Sequence, residues 1–180
     1  MTVQALDAAI LDQHRHLMAY FPTGVSVVTA IDDAGEPSGM TCSSLTSICL
    51  EPPIVMVSLT TSSRTVRQAL IRGSFGATLL DVGAQELARR FATPARDRFA
   101  GLAWTPSPLG VPWIEDCMTA AADFELSRSM EVGDHTLLFG LVRNVEIRGG
   151  APLLYGLRRY QRMAADGVMP GSTRVERFDG

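Results

Sequence analysis

Residues 130–142 read MEVGDHTLLFGLV and predict a tight turn that leads into a β-strand. Gly133 and Asp134 suit the turn, and the alternation that follows places His135 on the same strand face as Leu137 and Phe139. The chain has only three histidines, and this one stands at the polar end of an apolar face. It is therefore a candidate for contact with a ligand, and a half-exposed histidine at a strand end is the alternative.

The segments around this strand predict a mainly antiparallel β fold with a few short helices. Strand patterns cover 24–31, 54–59, 74–80, 121–128 and 135–147, and helical patterns cover 4–21, 65–71 and 85–91. We expect 24–31 and 39–50 to form one hairpin, and 121–128 and 135–147 to form another. Hairpin-connected strands favour a closed or nearly closed barrel, since closure removes exposed edges. A doubly wound dinucleotide fold is disfavoured, because no GxGxxG turn follows a strand.

Length and composition limit the classes of function. With 180 residues, 46% of them apolar and 19% charged, we expect one globular domain over 1–180, with its core over about 15–163 and a C-terminal tail over 164–180. Residues 93–113 are expected to form a long surface loop. A net charge of −3 argues against nucleic acid as a partner. No apolar run is long enough to span a membrane and no signal peptide is evident, so a cytoplasmic protein is expected.

The stretch TCSSLTSICLEPPIVMVSLTTSSRT, residues 41–65, is unusually rich in hydroxyl groups. Eleven of its 25 positions are Ser or Thr and two are charged. Short hydroxyls beside apolar strands can donate to a polar ligand that lies on an apolar wall. Ordinary turn and strand positions explain the same composition without any ligand. Cys42 by itself predicts a small core residue more readily than a nucleophile, and the three cysteines form no disulfide framework or zinc-ligand spacing.

The end of that stretch predicts a capped helix. Ser62 or Ser63 is a natural N-cap, and helix N-termini expose unpaired N–H groups that bind phosphate well. Arg64 adds a planar, forked cation and Thr65 a hydroxyl. A phosphate-bearing cofactor fits such a site, although most helix caps bind nothing.

Taken together, three blocks of the sequence resemble the short-chain flavin reductase family. The blocks are FPTGVSVVTA…GMTCSSLTSICLEPPIVMVSL…SSRT, then GDHTLLFGLV, then PLLYGLRRY, in the order and spacing of that family. These proteins are the reductase partners of two-component flavin-dependent monooxygenases. The resemblance implies a split antiparallel β-barrel of the FMN-binding type, a homodimer, FAD or FMN as flavin, and NADH, with NADPH possible, as electron donor.

The resemblance also implies roles for individual residues. The isoalloxazine ring would lie against Thr41, Cys42, Ser43 and Ser44, and Ser58 and Leu59 would continue that wall. The flavin phosphate would bind to Ser63, Arg64 and Thr65. The family's GDH turn corresponds to Gly133, Asp134 and His135, where the histidine would orient the nicotinamide, and Tyr160 matches a late aromatic near the cofactor.

The implied reaction is hydride transfer from a nicotinamide nucleotide to flavin, with reduced flavin released by diffusion to a partner monooxygenase. One alternative is a flavin- or haem-binding carrier or sensor without turnover, which the GDH turn argues against because a carrier needs no second nucleotide site. Another is an enzyme like pyridoxamine-phosphate oxidase, which predicts more basic residues at the phosphate site than Arg64 alone.

Overall fold

The computed structural model describes residues 8–95 and 97–163. Within this part of the chain the helices are α1 (Ala8–Ala19), α2 (Arg64–Arg72) and α3 (Gln85–Ala92). The strands are β1 (Thr23–Gly24), β2 (Ser26–Ile31), β3 (Pro37–Cys42), β4 (Thr46–Leu50), β5 (Pro53–Thr60), β6 (Ser74–Leu80), β7 (Trp104–Pro106), β8 (Pro112–Ile114), β9 (Met118–Val132), β10 (His135–Ile147), β11 (Leu154–Gly156) and β12 (Arg159–Gln161). The predicted antiparallel β class with short helices is confirmed.

Seven strands form the main sheet, in the order β3-β2-β6-β9-β10-β5-β4, and every neighbouring pair is antiparallel. Strands β3 and β4 are the two edges of this sheet, so the sheet is not closed, as the split barrel implied by the resemblance requires. The predicted hairpin of 24–31 with 39–50 is half right. Strand β3 pairs with β2, whereas β4 crosses to the other edge and pairs with β5.

The two edge strands are consecutive in the chain and are joined by residues 43–45, which we call the seam. The register that pairs Thr46 with Met56 would place Ser44 opposite Ser58 two residues further along. Instead of main-chain pairing, the Ser44 hydroxyl donates to the Ser58 carbonyl oxygen and accepts from the Ser58 N–H, both at 2.9 Å. A side chain therefore fastens the place where the barrel remains split.

The two faces of β10 differ in burial. Burial alternates along the strand, with Thr136 and Leu138 facing the core and His135, Leu137 and Phe139 half-buried on the outer face. The predicted sharing of one face by His135 and these apolar residues is confirmed. Because the outer face is only half-buried within one chain, the core is built from the other set of side chains.

Gly140 explains a glycine in the middle of a long strand. A Cβ atom there would lie 2.5 Å from Phe124 Cβ and 2.6 Å from Phe75 Cζ. The pairing of β9 with β10 also shifts register between Phe139 and Gly140. Both explanations of a mid-strand glycine, a bulge and the close approach of a flat group, hold here.

Helices α2 and α3 cover the sheet around β2, and every residue of β2 is buried. Helix α1 has no buried residue, and it is tied to the hairpin of β11 and β12 by a hydrogen bond from Leu157 N–H to the Ala19 carbonyl oxygen, at 2.6 Å. None of the helices in the described residues is long and apolar enough to cross a membrane.

The expected surface loop over 93–113 is partly wrong. This segment contributes β7 and the first residues of β8, which pair with each other, and Val111 is fully buried. Its Pro and Gly content concealed two short strands, because three-residue strands carry too little alternation to be detected. The predicted tail over 164–180 and the predicted helical residues 4–7 lie outside the described residues.

Candidate functional site

Three adjoining cavities lie along one side of the barrel. The first has a volume of about 880 Å³ and lies between β3, the start of α2 and the loop that follows α3. Its lining includes Ser38, Ser63, Arg64, Thr65 and Arg98. The three predicted phosphate-site residues, 63–65, are thus brought together on a cavity large enough for a ligand.

Helix α2 begins at the predicted place, with Ser63 as its N-cap. Its backbone is extended, its Oγ accepts from Val66 N–H at 3.2 Å, and the helix ends at Gly73 in the left-handed conformation. The other first-turn N–H groups remain available for an anion. Arg64 is ion-paired with Asp32 at 3.0 Å, which fixes the guanidinium beside the cavity.

The Asp32 carboxylate collects several donors. It accepts from Glu36 N–H at 2.9 Å and from Arg64 and Gln68 at 3.0 Å each. The backbone hydrogen bond from Glu36, followed by the bond from Arg64, holds the pKa of Asp32 below its ordinary value. Asp32 is therefore an anion that orients the cation of the first cavity.

Arg98 is a site residue that the sequence analysis missed. Its Nη1 donates to the Gly39 carbonyl oxygen at 2.7 Å and its Nε to the Thr93 carbonyl oxygen at 3.0 Å. Burial lowers the pKa of Arg98, so this cation is partly withdrawn from water. The sequence offered a weak signal, since Arg98 stands beside the apolar Phe99 in a segment that was predicted to be a surface loop. The structure shows that Phe99 is buried.

The second cavity, of about 270 Å³, is narrower and partly aromatic. Met40, Thr41, Ser43, Tyr155 and Tyr160 line it. The two tyrosine rings pack edge to face with centroids 5.3 Å apart, and burial raises the pKa of Tyr160. Arg98 lines this cavity as well as the first, so a cationic end and an aromatic end adjoin.

The third cavity, of about 660 Å³, lies between α1, the seam and the hairpin of β11 and β12. Ser43 and Tyr155 line both the second and the third cavity. The predicted residues Ser43 and Ser44 thus stand where two cavities meet.

Most side chains of the predicted ring wall are engaged within the protein. Thr41 Oγ1 donates to the Ala88 carbonyl oxygen at 2.6 Å, and the Ser44 hydroxyl is bonded to Ser58 on both sides. Cys42 and Leu59 are 4% and 1% exposed, so their side chains belong to the core. Ser43 is exposed and its hydroxyl takes part in none of the hydrogen bonds found in the described residues.

The GDH turn lies apart from the three cavities. Gly133 has a φ of 61°, as the turn requires. His135 Nδ1 lies 2.7 Å from Asp134 Oδ1, and this hydrogen bond lowers the pKa of Asp134. His135 pairs with Thr60 on the outer face of the sheet, two residues beyond Ser58. Along a strand that step is about 7 Å from the residue that Ser44 fastens.

The chemistry of this surface suits a flat ligand that carries phosphate. Guanidinium and helix N–H groups supply the anion end, and aromatic rings and one exposed hydroxyl supply the other. No group of three or more His, Cys, Asp or Glu side chains with the arrangement of a metal site occurs among the described residues.

Comparison with known proteins gives a consistent result. Residues 18–164 match the family described as flavin reductase like domain. The chain is 43% identical over 155 residues to a flavin reductase (NADPH) of Lentzea aerocolonigenes, which covers 86% of this chain and 91% of the relative. It is 35% identical over 173 residues to the reductase subunit HsaB of a flavin-dependent monooxygenase of Rhodococcus jostii. That match covers 94% of this chain and 88% of the relative.

A solved structure is similar over nearly the whole chain. It is the NADH:FAD oxidoreductase SgcE6 of Streptomyces globisporus in complex with NAD and FAD fragments. The TM-score is 0.82 at 30% identity, and the match covers 92% of this chain and 100% of the other.

Proposed function

This chain belongs to the flavin reductase like family, and from that premise we propose which of its residues bind each nucleotide. It is an NAD(P)H:flavin oxidoreductase. Flavin would supply the acceptor for a hydride from NAD(P)H, and the protein supplies binding, orientation and electrostatics. The observation that carries the assignment is that Arg98 lines both the cationic first cavity and the aromatic second one.

The flavin phosphate binds in the first cavity. The N–H groups of the first turn of α2, the Ser63 and Thr65 hydroxyls and the Arg64 guanidinium supply donors there. Arg98 adds a second cation, already partly desolvated, which strengthens its attraction for an anion. A planar fork with spare N–H groups is well matched to phosphate oxygens.

The isoalloxazine ring lies in the second cavity, against the main chain of residues 41–44 and beside Tyr160. Ser43 offers the free hydroxyl, and donors at the edge of the ring favour the charge of the reduced state. The wall behind the ring is supported by Cys42, Ser58 and Leu59, which hold it in place and do not touch the ligand.

His135 orients the nicotinamide ring. The Asp134 carboxylate fixes one side of the imidazole through Nδ1 and leaves Nε2 free to contact an amide group. The support for this role is the position of His135 at the end of β10, about two residues beyond the fastened Ser58.

Turnover separates this function from a carrier on the same fold. Purified protein mixed with NADH or NADPH and an excess of FMN or FAD should consume the nicotinamide nucleotide, followed by absorbance at the reduced-nicotinamide band. A protein that binds flavin tightly and consumes neither nucleotide would instead be a carrier.

Flavin titrations test the placement of the phosphate. The Arg98→Ala variant should bind FMN and FAD about tenfold more weakly, as expected for the loss of hydrogen bonds to a charged group. The Arg67→Ala variant is the matched control, because Arg67 is exposed on α2 and does not line the first cavity. Equal flavin affinities of the two variants would contradict the assignment.

We further propose that the reductase works as a homodimer and passes reduced flavin by diffusion to a partner monooxygenase. A monooxygenase partner follows from relatives such as HsaB, a reductase subunit of such an enzyme. Exposed apolar side chains on β4, β9 and β10 support the dimer, since a monomer rarely leaves them uncovered; they include Ile48, Leu50, Met130 and Val132. Sedimentation velocity that gives a mass of one chain would contradict it.

The three free cysteines support a reducing compartment such as the cytoplasm. Fractionation of cells that express the chain, with the protein followed by immunoblot, tests this location, and recovery with the envelope fraction would contradict it.

A further inference from the structure

The third cavity carries cationic side chains for which the roles above have no use. Arg15, on α1, and Arg158, in the turn between β11 and β12, both line it, together with His14. The two arginines come from opposite ends of the sequence, so no local pattern could have paired them. Their presence on one cavity of about 660 Å³ is a property of the fold.

The fold fixes this pair through a short chain of contacts. Arg15 and Ala19 are four residues apart on α1 and therefore share one helix face. Leu157 N–H donates to the Ala19 carbonyl oxygen at 2.6 Å, which holds the turn against that face. Gly156 is buried there, and a Cβ atom at its position would meet Pro22 at 3.2 Å. Arg158 is thereby held on the same cavity as Arg15.

The turn itself holds an uncommon conformation. Leu157 and Arg158 have φ values of 52° and 60°, in the left-handed region that a two-residue hairpin turn of this type demands. Glycine or asparagine would adopt it at lower cost. A large cationic residue at a costly position raises the question of what its side chain binds.

Neither arginine forms an ion pair with another residue in the part of the chain that the structure describes. Ion pairs in the described residues engage Arg64, Arg72, Arg89, Arg143 and Arg148, but not Arg15 or Arg158. Asp12, the acidic residue of α1, lies 3.9 Å from His16. Among the described residues, the lining of this cavity contributes two arginines and no carboxylate.

The third cavity adjoins the proposed flavin site, because Ser43 and Tyr155 line both. A nicotinamide ring that lies on the flavin in the second cavity would extend the rest of its nucleotide from that junction. We propose that Arg15 and Arg158 bind the phosphate groups of the nicotinamide nucleotide. The inference rests on the proposed function and deepens it, since it places the electron donor between α1 and the turn of residues 157–158.

Two phosphate groups could be the ligand, and the test separates them. The diphosphate is common to NADH and NADPH, whereas the 2′-phosphate belongs to NADPH alone. The variants are Arg15→Ala, Arg158→Ala and the double substitution. Arg159→Ala is the matched control, because Arg159 is the exposed neighbour of Arg158 and does not line the cavity.

Calorimetric titration with NAD⁺ and NADP⁺ and steady-state KM values for NADH and NADPH are measured at saturating flavin. Each single variant should weaken nucleotide binding about tenfold, while its flavin affinity and circular dichroism remain those of the unmodified protein. Losses of similar size for both nucleotides assign the diphosphate. A loss confined to NADP⁺ and NADPH assigns the 2′-phosphate.

Wild-type turnover together with unchanged nucleotide affinity in the double variant would overturn this inference alone. A wild-type protein that oxidises neither NADH nor NADPH would overturn the proposed function, and the inference with it. Higher salt should weaken nucleotide binding more in the wild type than in the double variant, because only the wild type retains the charges that salt screens.

Discussion

At the scale of single residues, the side chains of the candidate site fall into two kinds. Some form hydrogen bonds within the protein, and others have polar atoms available to a ligand. The Thr41 and Ser44 hydroxyls donate to the Ala88 and Ser58 carbonyl oxygens. Ser43, in contrast, is exposed. His135 combines both conditions, since one ring nitrogen is bonded to Asp134 and the other is free. Residues of the second kind are those whose substitution should alter binding without altering the fold.

His135→Ala should raise the KM for the nicotinamide nucleotide about five- to tenfold, because one contact to the substrate is lost. Flavin affinity should change much less. Steady-state kinetics at saturating flavin, with a flavin titration alongside, measure both. Asp134→Asn serves as the matched variant, since it keeps the imidazole and weakens only its orientation, and an intermediate KM is expected. An unchanged KM in His135→Ala would refute the role.

Gly140→Ala should cost about 3 kcal/mol of unfolding free energy, since overpacking must move two aromatic side chains. The added Cβ would lie 2.5 Å from Phe124 and 2.6 Å from Phe75. Gly24→Ala is the control, because nothing lies within 4 Å of its Cβ position, and a change within about 0.5 kcal/mol is expected. Urea unfolding midpoints of the two variants measure the difference. Equal midpoints would contradict the close packing of Phe75 and Phe124 against Gly140.

At the scale of elements, the site is built where β3 ends, β4 begins and α2 starts. Strand β5 connects these places, since Ser44 is fastened to it and α2 follows it after residues 61–63. The Ser44 hydroxyl links the seam to β5 in place of main-chain pairing.

Ser44→Ala should lower the unfolding free energy by about 1–3 kcal/mol, because the Ser58 N–H and carbonyl groups lose their partner. Ser43→Ala makes the same chemical change one residue earlier, at an exposed hydroxyl, and should leave stability within about 0.5 kcal/mol while weakening flavin binding. Chemical denaturation and flavin titration of the two variants provide the comparison. Equal losses of stability would show that the hydroxyl of Ser44 does not fasten the seam.

The long strands, α2 and its N-cap were predictable because each is encoded locally. Ser63 precedes α2, Gly73 ends it, and residues 135–141 alternate in burial as the period of a strand requires. The partner of β4 was not predictable, since the pattern that forms a strand does not say which edge it joins. Arg98 was missed for the same reason, because only tertiary structure carries the loop after α3 over the first cavity.

At the scale of the whole molecule, charge pairs connect segments that packing leaves apart. Asp32 joins the turn after β2 to α2 through Arg64 and Gln68, and Arg148 joins the end of β10 to Glu115. Hydrogen bonds lower the pKa of Asp32, that of Glu115 (from Thr105 first, then Arg148) and that of Asp134 (from His135). Three carboxylates are thus more acidic in the folded protein.

This direction fixes the pH dependence of stability. A carboxyl whose pKa is lower in the folded state stabilises the protein above its unfolded pKa, about 4, and that contribution is lost as the pH falls through the folded value. Stability should therefore fall below about pH 4, and Asp32→Asn should show a smaller fall together with lower stability at pH 7. Asp33→Asn is the control, since that side chain is 86% exposed. Urea unfolding between pH 2.5 and 7 measures the slopes, and equal slopes for Asp32→Asn and wild type would contradict the assignment.

Between β3 and β5 the barrel is open, and a ligand that lies across residues 43–45 is bordered by side chains and one short connection. It can dissociate sideways while every strand pair stays intact, whereas a sealed cylinder would first have to break main-chain hydrogen bonds. In the proposed cycle, reduced flavin leaves before the next molecule enters. The open side therefore suits a flavin that is exchanged in every catalytic cycle, as a substrate is, in preference to one retained as a permanent prosthetic group.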